Sequence, residues 1–263
     1  MHKKDIYVSL ILSSLCLVAG FFVVPYQLET LKTTMPEQHA ELISTLPFPI
    51  SVLSLITAIQ LFIVSFILAF LGMKLAKRTG LSLKLLPGLV TKQKVSLHTR
   101  SLLLSLLFGL ITAFVISTGD RFFFQSHIPA LSAYTPSFSP LGLFVGVMYG
   151  GVFEEILMRL FLMSFLVWII NKAFNRKKEI IPATTYVIAI IIASALFAAG
   201  HLPATQLMLG DLTPLLTIRS FLLNGIGGLF FGYLYWKKGF EYAVLGHMFS
   251  HIALQLLFIP IYY

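Results

Sequence analysis

Glu154 and Glu155 stand side by side in an apolar run, 141–170, whose only other charge is Arg159. A charged carboxylate at the centre of a bilayer costs roughly 2.5–3.5 kcal/mol to insert, so two in succession need a counter-ion or a wet cavity, and they read first as a functional site. Successive residues on an α-helix are turned by about 100°, which points the two carboxylates in different directions. Glu155 and Arg159, at i and i+4, share a face and pair within their own helix. Glu154 has Met158 at the equivalent position and must find its partner on another helix. Glu154 is therefore the candidate general base, with Glu155 and Arg159 as its support. Gly146, Gly150 and Gly151, just upstream, let a second helix approach closely and bring that partner.

Three histidines supply the candidates. His201 lies four residues after Phe197 in the string FAAGH, and His247 and His251, in HMFSH, project from one face of the last apolar run. A lone membrane histidine is commonly satisfied by a backbone carbonyl. Three of them beside an uncompensated glutamate read instead as a set that meets in one cavity of a helix bundle. Two chemistries fit. In one, Glu154 and His201 activate a water that attacks an amide carbonyl, and His247 and His251 donate to the oxyanion, with no cofactor. In the other, Glu154, His201, His247 and His251 supply ligands to a zinc ion that activates the water, with at least one of the four left free. The zinc-protease string HExxH is absent, as are GxGD and the GxSxG elbow. Asp120 and Asp211 each follow a glycine at a run's border and read as turn residues. Ser250, between the two candidate histidines, reads as packing.

The elements that must position these side chains are membrane helices. The chain is 57% hydrophobic and 11% charged, less than half the charge of a soluble domain. Its apolar residues fall into about seven blocks long enough to span hydrocarbon: 6–24, 48–73, 101–118, 141–170, 182–200, 214–236 and 242–260. The expected fold is an all-α polytopic transmembrane bundle, with N-terminal helices and a basic inner loop in 1–140 and a four-helix catalytic core in 141–263, integrated as one unit. Lys and Arg cluster in alternate loops, among them Lys74 to Arg100 and Lys172, Arg176, Lys177 and Lys178, whereas the other loops keep only Lys32 and Arg121. By the positive-inside rule the N-terminus is cytoplasmic. The net charge of +9 is thus topological, a matter of loops beside anionic lipid, and leaves no basic domain for nucleic acid. A block beginning after Lys3 and Lys4, with no small-residue exit, reads as a retained helix rather than a cleaved signal. The single cysteine, Cys16, excludes an intrachain disulfide. The loop 74–100, broken by Pro87 and Gly88, is expected to lie along the membrane surface.

Taken in order, Glu154-Glu155-xxx-Arg159, Phe197-xxx-His201 and His247-xxx-His251 resemble the motifs of the CPBP intramembrane proteases, the family of the type II CAAX prenyl endopeptidases and of bacterial homologues linked to bacteriocin immunity. The resemblance runs over roughly 141–258 and includes a glycine-rich stretch, Asn224, Gly225, Gly227, Gly228 and Gly232, expected to pack the sixth helix against the catalytic ones. It implies an endopeptidase of a bacterial plasma membrane, acting on a membrane-associated protein or peptide. Glu154 and His201 would activate the water, His247 and His251 would hold the oxyanion, and Glu155 with Arg159 would order the site. Metal-free chemistry is favoured over zinc. The chain departs from the pattern at His251, where members usually carry Asn. An immunity or scaffold protein with weak catalysis is the alternative. An ion-coupled transporter would show discontinuous helices in repeated halves, which the sequence lacks.

Overall fold

The computed structural model describes residues 2–132, 135–174 and 180–263, and the described residues contain helices and no strand. The basic residues Arg176, Lys177 and Lys178 lie outside them. The main elements are α1 (His2–Thr34), α2 (Pro36–Thr45), α3 (Ile50–Arg78), a short α4 (Leu85–Val90), α5 (Thr99–His127), α6 (140–174), α7 (Ala183–Gly200), α8 (Leu202–Leu209), α9 (Pro214–Lys237) and α10 (Phe240–Tyr262). Among the described residues six helices are long and apolar enough to cross a membrane, α7 and α8 together forming one of them. Helix α6 corresponds to the remaining expected block, and it is the one interrupted by three charges. The protein is a multi-pass integral membrane protein. Rows of Leu, Ile and Phe stay exposed along its helices, Leu55, Ile59, Ile63 and Ile67 on α3 for example. In lipid such a row is a solvated face.

The helices outrun the apolar blocks because backbone hydrogen bonding continues past the hydrophobic boundary. Thus α1 reaches Thr34, and α5 runs through Asp120 to His127. Asp120 is therefore no turn residue. Its carboxylate accepts from Nε of Arg219 on α9 at 2.6 Å and also from Nη2, a bidentate pair that fastens α5 to α9. At the other end Lys77 of α3 donates to both carboxylate oxygens of Asp5 on α1, each at 2.6 Å. Side-chain caps start two helices. Ser139 Oγ accepts from the Gly142 N–H at 2.9 Å, and Thr213 Oγ1 from the Leu216 N–H at 3.2 Å, each followed by a proline at the first helical position.

Glycines set the distances between helices. A Cβ on Gly72 of α3 would lie 2.6 Å from the Leu160 carbonyl oxygen of α6, and one on Gly109 of α5 2.5 Å from the Gly246 carbonyl oxygen of α10. Both are backbone against backbone. The glycine-rich stretch acts in part as expected: Gly228 and Gly232 of α9 lie against Ser194 and Ile190 of α7, and Gly227 against Thr112 of α5, but nothing lies within 4 Å of a Cβ on Gly225. Pro87 and Gly88 do not break the loop they occupy. Pro87 sits in the first turn of α4, where its missing N–H has no helical partner to lose, and Gly88 is covered by Val95.

This packing makes opposite predictions for two glycines. Gly72→Ala must push α3 away from the helix that carries the glutamates and is expected to cost about 1–3 kcal/mol, read as a lower melting temperature of the purified protein in detergent. Gly225→Ala meets open space and gains helix propensity, so its melting temperature should equal or exceed that of the parent.

Candidate active site

The site forms where α6, α7, α9 and α10 meet. Helices α6 and α10 run antiparallel, and three small residues of α6 admit side chains of α10. A Cβ on Gly146 would lie 2.6 Å from Nδ1 of His251, one on Gly150 2.5 Å from its Nε2, and one on Gly151 against Met248. The glycines expected to admit a neighbouring helix do so, and two of them form a cradle for the atypical His251.

Glu155 and Arg159 pair as their spacing requires, with Oε1 and Nη1 2.8 Å apart and side chains 0% and 2% exposed. The approach has ion-pair distance without hydrogen-bond geometry. Glu155 Oε2 and both Arg159 amino nitrogens have no hydrogen-bond partner among the described residues. Arg159 is enclosed instead by aromatic faces, its guanidinium carbon 5.1 Å from the Phe197 centroid and 5.6 Å from that of Phe231.

The sequence paired Glu155 with Arg159 alone and sent Glu154 elsewhere; the structure brings both carboxylates to one imidazole. His247 Nδ1 donates to Glu155 Oε1 at 2.8 Å, and His247 Nε2 stands 3.9 Å from Glu154 Oε2. The expected divergence assumed α-helical winding. Residues 146–154 and 156–163 instead make i to i+5 hydrogen bonds, and such π-helical turns rotate less per residue. An imidazole also offers nitrogens on two edges, so neighbours on one helix can meet the same ring. Access separates the two acids. Glu154 keeps 18% of its side chain exposed, while Glu155 is sealed.

The remaining rings stack around His247. Phe231 lies parallel to it on one side, with centroids 4.7 Å apart and planes at 20°. His251 follows at 5.1 Å and 18°, and the Phe197 edge is at 6.2 Å. Phe231 therefore touches both Arg159 and His247, yet no sequence reading named it. Its only signal was a place inside the glycine-rich stretch of α9. Ser250 donates to the His247 carbonyl at 2.7 Å and so packs, as expected.

His201 sits where α7 gives way to α8, whereas His247 lies only two turns into α10. Side chains on a helix lean toward its N-terminus, and the His201 ring does so: Nδ1 bonds the Phe197 carbonyl one turn earlier at 2.8 Å, with the ring edge-on to Phe197 at 4.6 Å. Phe197 is thus the shared wall between His201 and His247. The carbonyl can only accept, so His201 Nδ1 carries the proton and a neutral ring presents its lone pair at Nε2.

Nδ1 of His247 bonds Glu155 and Nδ1 of His201 bonds the Phe197 carbonyl, which leaves each Nε2 free to meet a water or to ligate a metal, while His251 lies flat on His247 with both nitrogens toward glycines of α6. Among the described residues no three of His, Cys, Asp and Glu gather as metal ligands.

No curated protein and no solved structure matches the chain. The family model of type II CAAX prenyl endopeptidase Rce1-like proteins matches residues 136–253, the stretch that carries all three motifs and the side chains of this site. Over that stretch, somewhat less than half of the chain, the protein is similar to the type II CAAX prenyl endopeptidases, in keeping with the motifs it carries.

Proposed function

We propose that the protein cleaves a peptide bond of a membrane-associated protein or peptide with a water activated by Glu154 and His201. The difference in access between adjacent carboxylates carries this reading: a general base must reach water, and Glu154 is open where Glu155 is sealed. Glu154 takes a proton from the water as its oxygen adds to the carbonyl carbon, and later returns that proton to the departing amine nitrogen. His201 accepts the water's second hydrogen at Nε2. The tetrahedral oxyanion is held by N–H donors of His247 and His251.

Glu155 orients His247 as a carboxylate orients a catalytic imidazole. Since Glu155 accepts at Nδ1, Nε2 of His247 donates to the oxyanion from the doubly protonated ring, its second proton taken from solvent before the peptide enters and kept through the reaction. Arg159 supplies the counter-charge beside Glu155. The family description names CAAX prenyl endopeptidases, so a prenylated C-terminal peptide is one substrate class for this chain, beside an unprenylated membrane peptide. One observation favours a second reading, a binding protein with weak catalysis: His251 stands where the family usually places Asn.

Glu154→Gln keeps the shape and removes the base. Cleavage of a membrane peptide by that variant is expected to fall by at least about 100-fold with an unchanged melting temperature, and full cleavage would sink the assignment. Treatment with a chelator should leave the wild type active, whereas loss reversed by zinc alone would establish the metal-dependent alternative. The glycine cradle gives a paired test. Gly150→Ala must displace His251 and is expected to lower cleavage up to about 100-fold, and the shorter side chain of His251→Asn added to it should restore much of that. Wild-type turnover by Gly150→Ala would remove His251 from the oxyanion role.

A further inference from the structure

The loop between α3 and α5 has no part in the reaction described, yet it is tied at four points to the start of the helix that carries His247 and His251. Glu241 Oε1 accepts from the backbone N–H of Leu85 at 2.8 Å and of Leu86 at 3.1 Å. The Phe240 N–H donates to the Ser82 carbonyl at 3.0 Å, and the His98 N–H donates to the Tyr242 hydroxyl oxygen at 2.9 Å. Glu241 is only 7% exposed. The first N–H groups of a helix need partners, and Lys84 before α4 gives none through its side chain. A carboxylate from the far end of the chain does so instead. Gly239, at φ 122°, makes the turn that lays α10 against Ser82, a conformation that suits glycine.

We propose that Glu241 is a positioning residue for the catalytic imidazole, acting through α10 with the loop 82–98 as its anchor. The inference rests on the reading of His247 as part of the reaction. Glu241 and His247 are six residues apart, roughly 9 Å along a stiff helix. Pinning the first turn of α10 to the loop sets the height and rotation of the helix. Those two quantities determine whether Nδ1 of His247 meets Glu155 Oε1 at 2.8 Å. A catalytic group must be held to within about 0.5 Å and 10–20°, and the anchor acts on that register from the α10 side, alongside the glycine contacts of α6. What the loop requires of residue 241 is an acceptor of the right reach, whatever its charge.

The test compares Glu241→Gln, Glu241→Asn and Glu241→Ala in the full-length protein. Gln keeps the acceptor at the same distance, Asn withdraws it by one carbon, and Ala removes it. Amide hydrogen exchange at Leu85 and Leu86 reads the anchor, the ¹⁵N shift of the His247 ring in histidine-labelled protein reads the bond to Glu155, and kcat with KM for a membrane peptide reads the consequence. Ala and Asn are expected to speed exchange at both leucines, shift the His247 resonance and lower kcat at least about tenfold with KM within about twofold. Gln should restore all three readouts. If Ala does not fold, Asn reports the same loss. An unmoved His247 resonance in a variant whose leucine amides have been released overturns the proposal, and so does a Gln variant as impaired as Asn. The resonance is read whether or not a peptide is cleaved, so absent wild-type cleavage would reject the protease reading alone.

Discussion

A sealed carboxylate joins the parts of this bundle. Glu155 meets Arg159 one turn along its own helix and His247 on the last one, at the same 2.8 Å from the same oxygen. Desolvating those groups costs several kcal/mol per ion, and mutual attraction offsets that only when all the partners are present. Removing one partner strands a buried charge. This one requirement ties α6 to α10, and through the Phe197 and Phe231 faces on Arg159 it ties both to α7 and α9.

The surrounding packing serves that node. Gly72, Gly109, Gly146, Gly150 and Gly151 bring backbones or side chains of neighbouring helices to distances that any Cβ would prevent. In lipid, helix association lacks the hydrophobic drive it has in water and depends on such close contact. The π-helical turns of α6 have the complementary effect. They turn Glu154 and Glu155 toward one imidazole, so that the open acid and the sealed acid address opposite nitrogens of His247. Two neighbouring residues of one type thereby acquire different surroundings. Fixed ion pairs at the two ends, Asp120 with Arg219 and Asp5 with Lys77, close the bundle around this centre.

Much of the site was legible before any fold was known, because a bilayer makes each ionisable residue conspicuous. Glu154, Glu155, Arg159, His201, His247 and His251 stood out against apolar runs, and the i, i+4 pair needed only the helix period. Phe231 did not stand out, since one aromatic among 24 phenylalanines carries no mark of what it touches. Arg219 was hidden in an apolar run and Asp120 was read as a turn, although each is the other's counter-ion across 99 residues. Glu241 was likewise silent, its partners being backbone N–H groups that any residue would present.

The sequence by itself determined that the chain crosses a membrane several times as helices, and which ionisable residues lie within its apolar runs. Both follow from local facts: the length of apolar runs, the cost of charge in hydrocarbon, and the spacing of residues on one helix. Tertiary structure alone decided which nitrogen of His247 faces which glutamate, that His201 reaches back to share Phe197 with it, and that Glu154 is the accessible acid. Those outcomes depend on the registers of separate helices, set by glycine contacts and by the winding of α6. No run of residues encodes them by itself, because each is a distance between elements that the chain brings together only on folding.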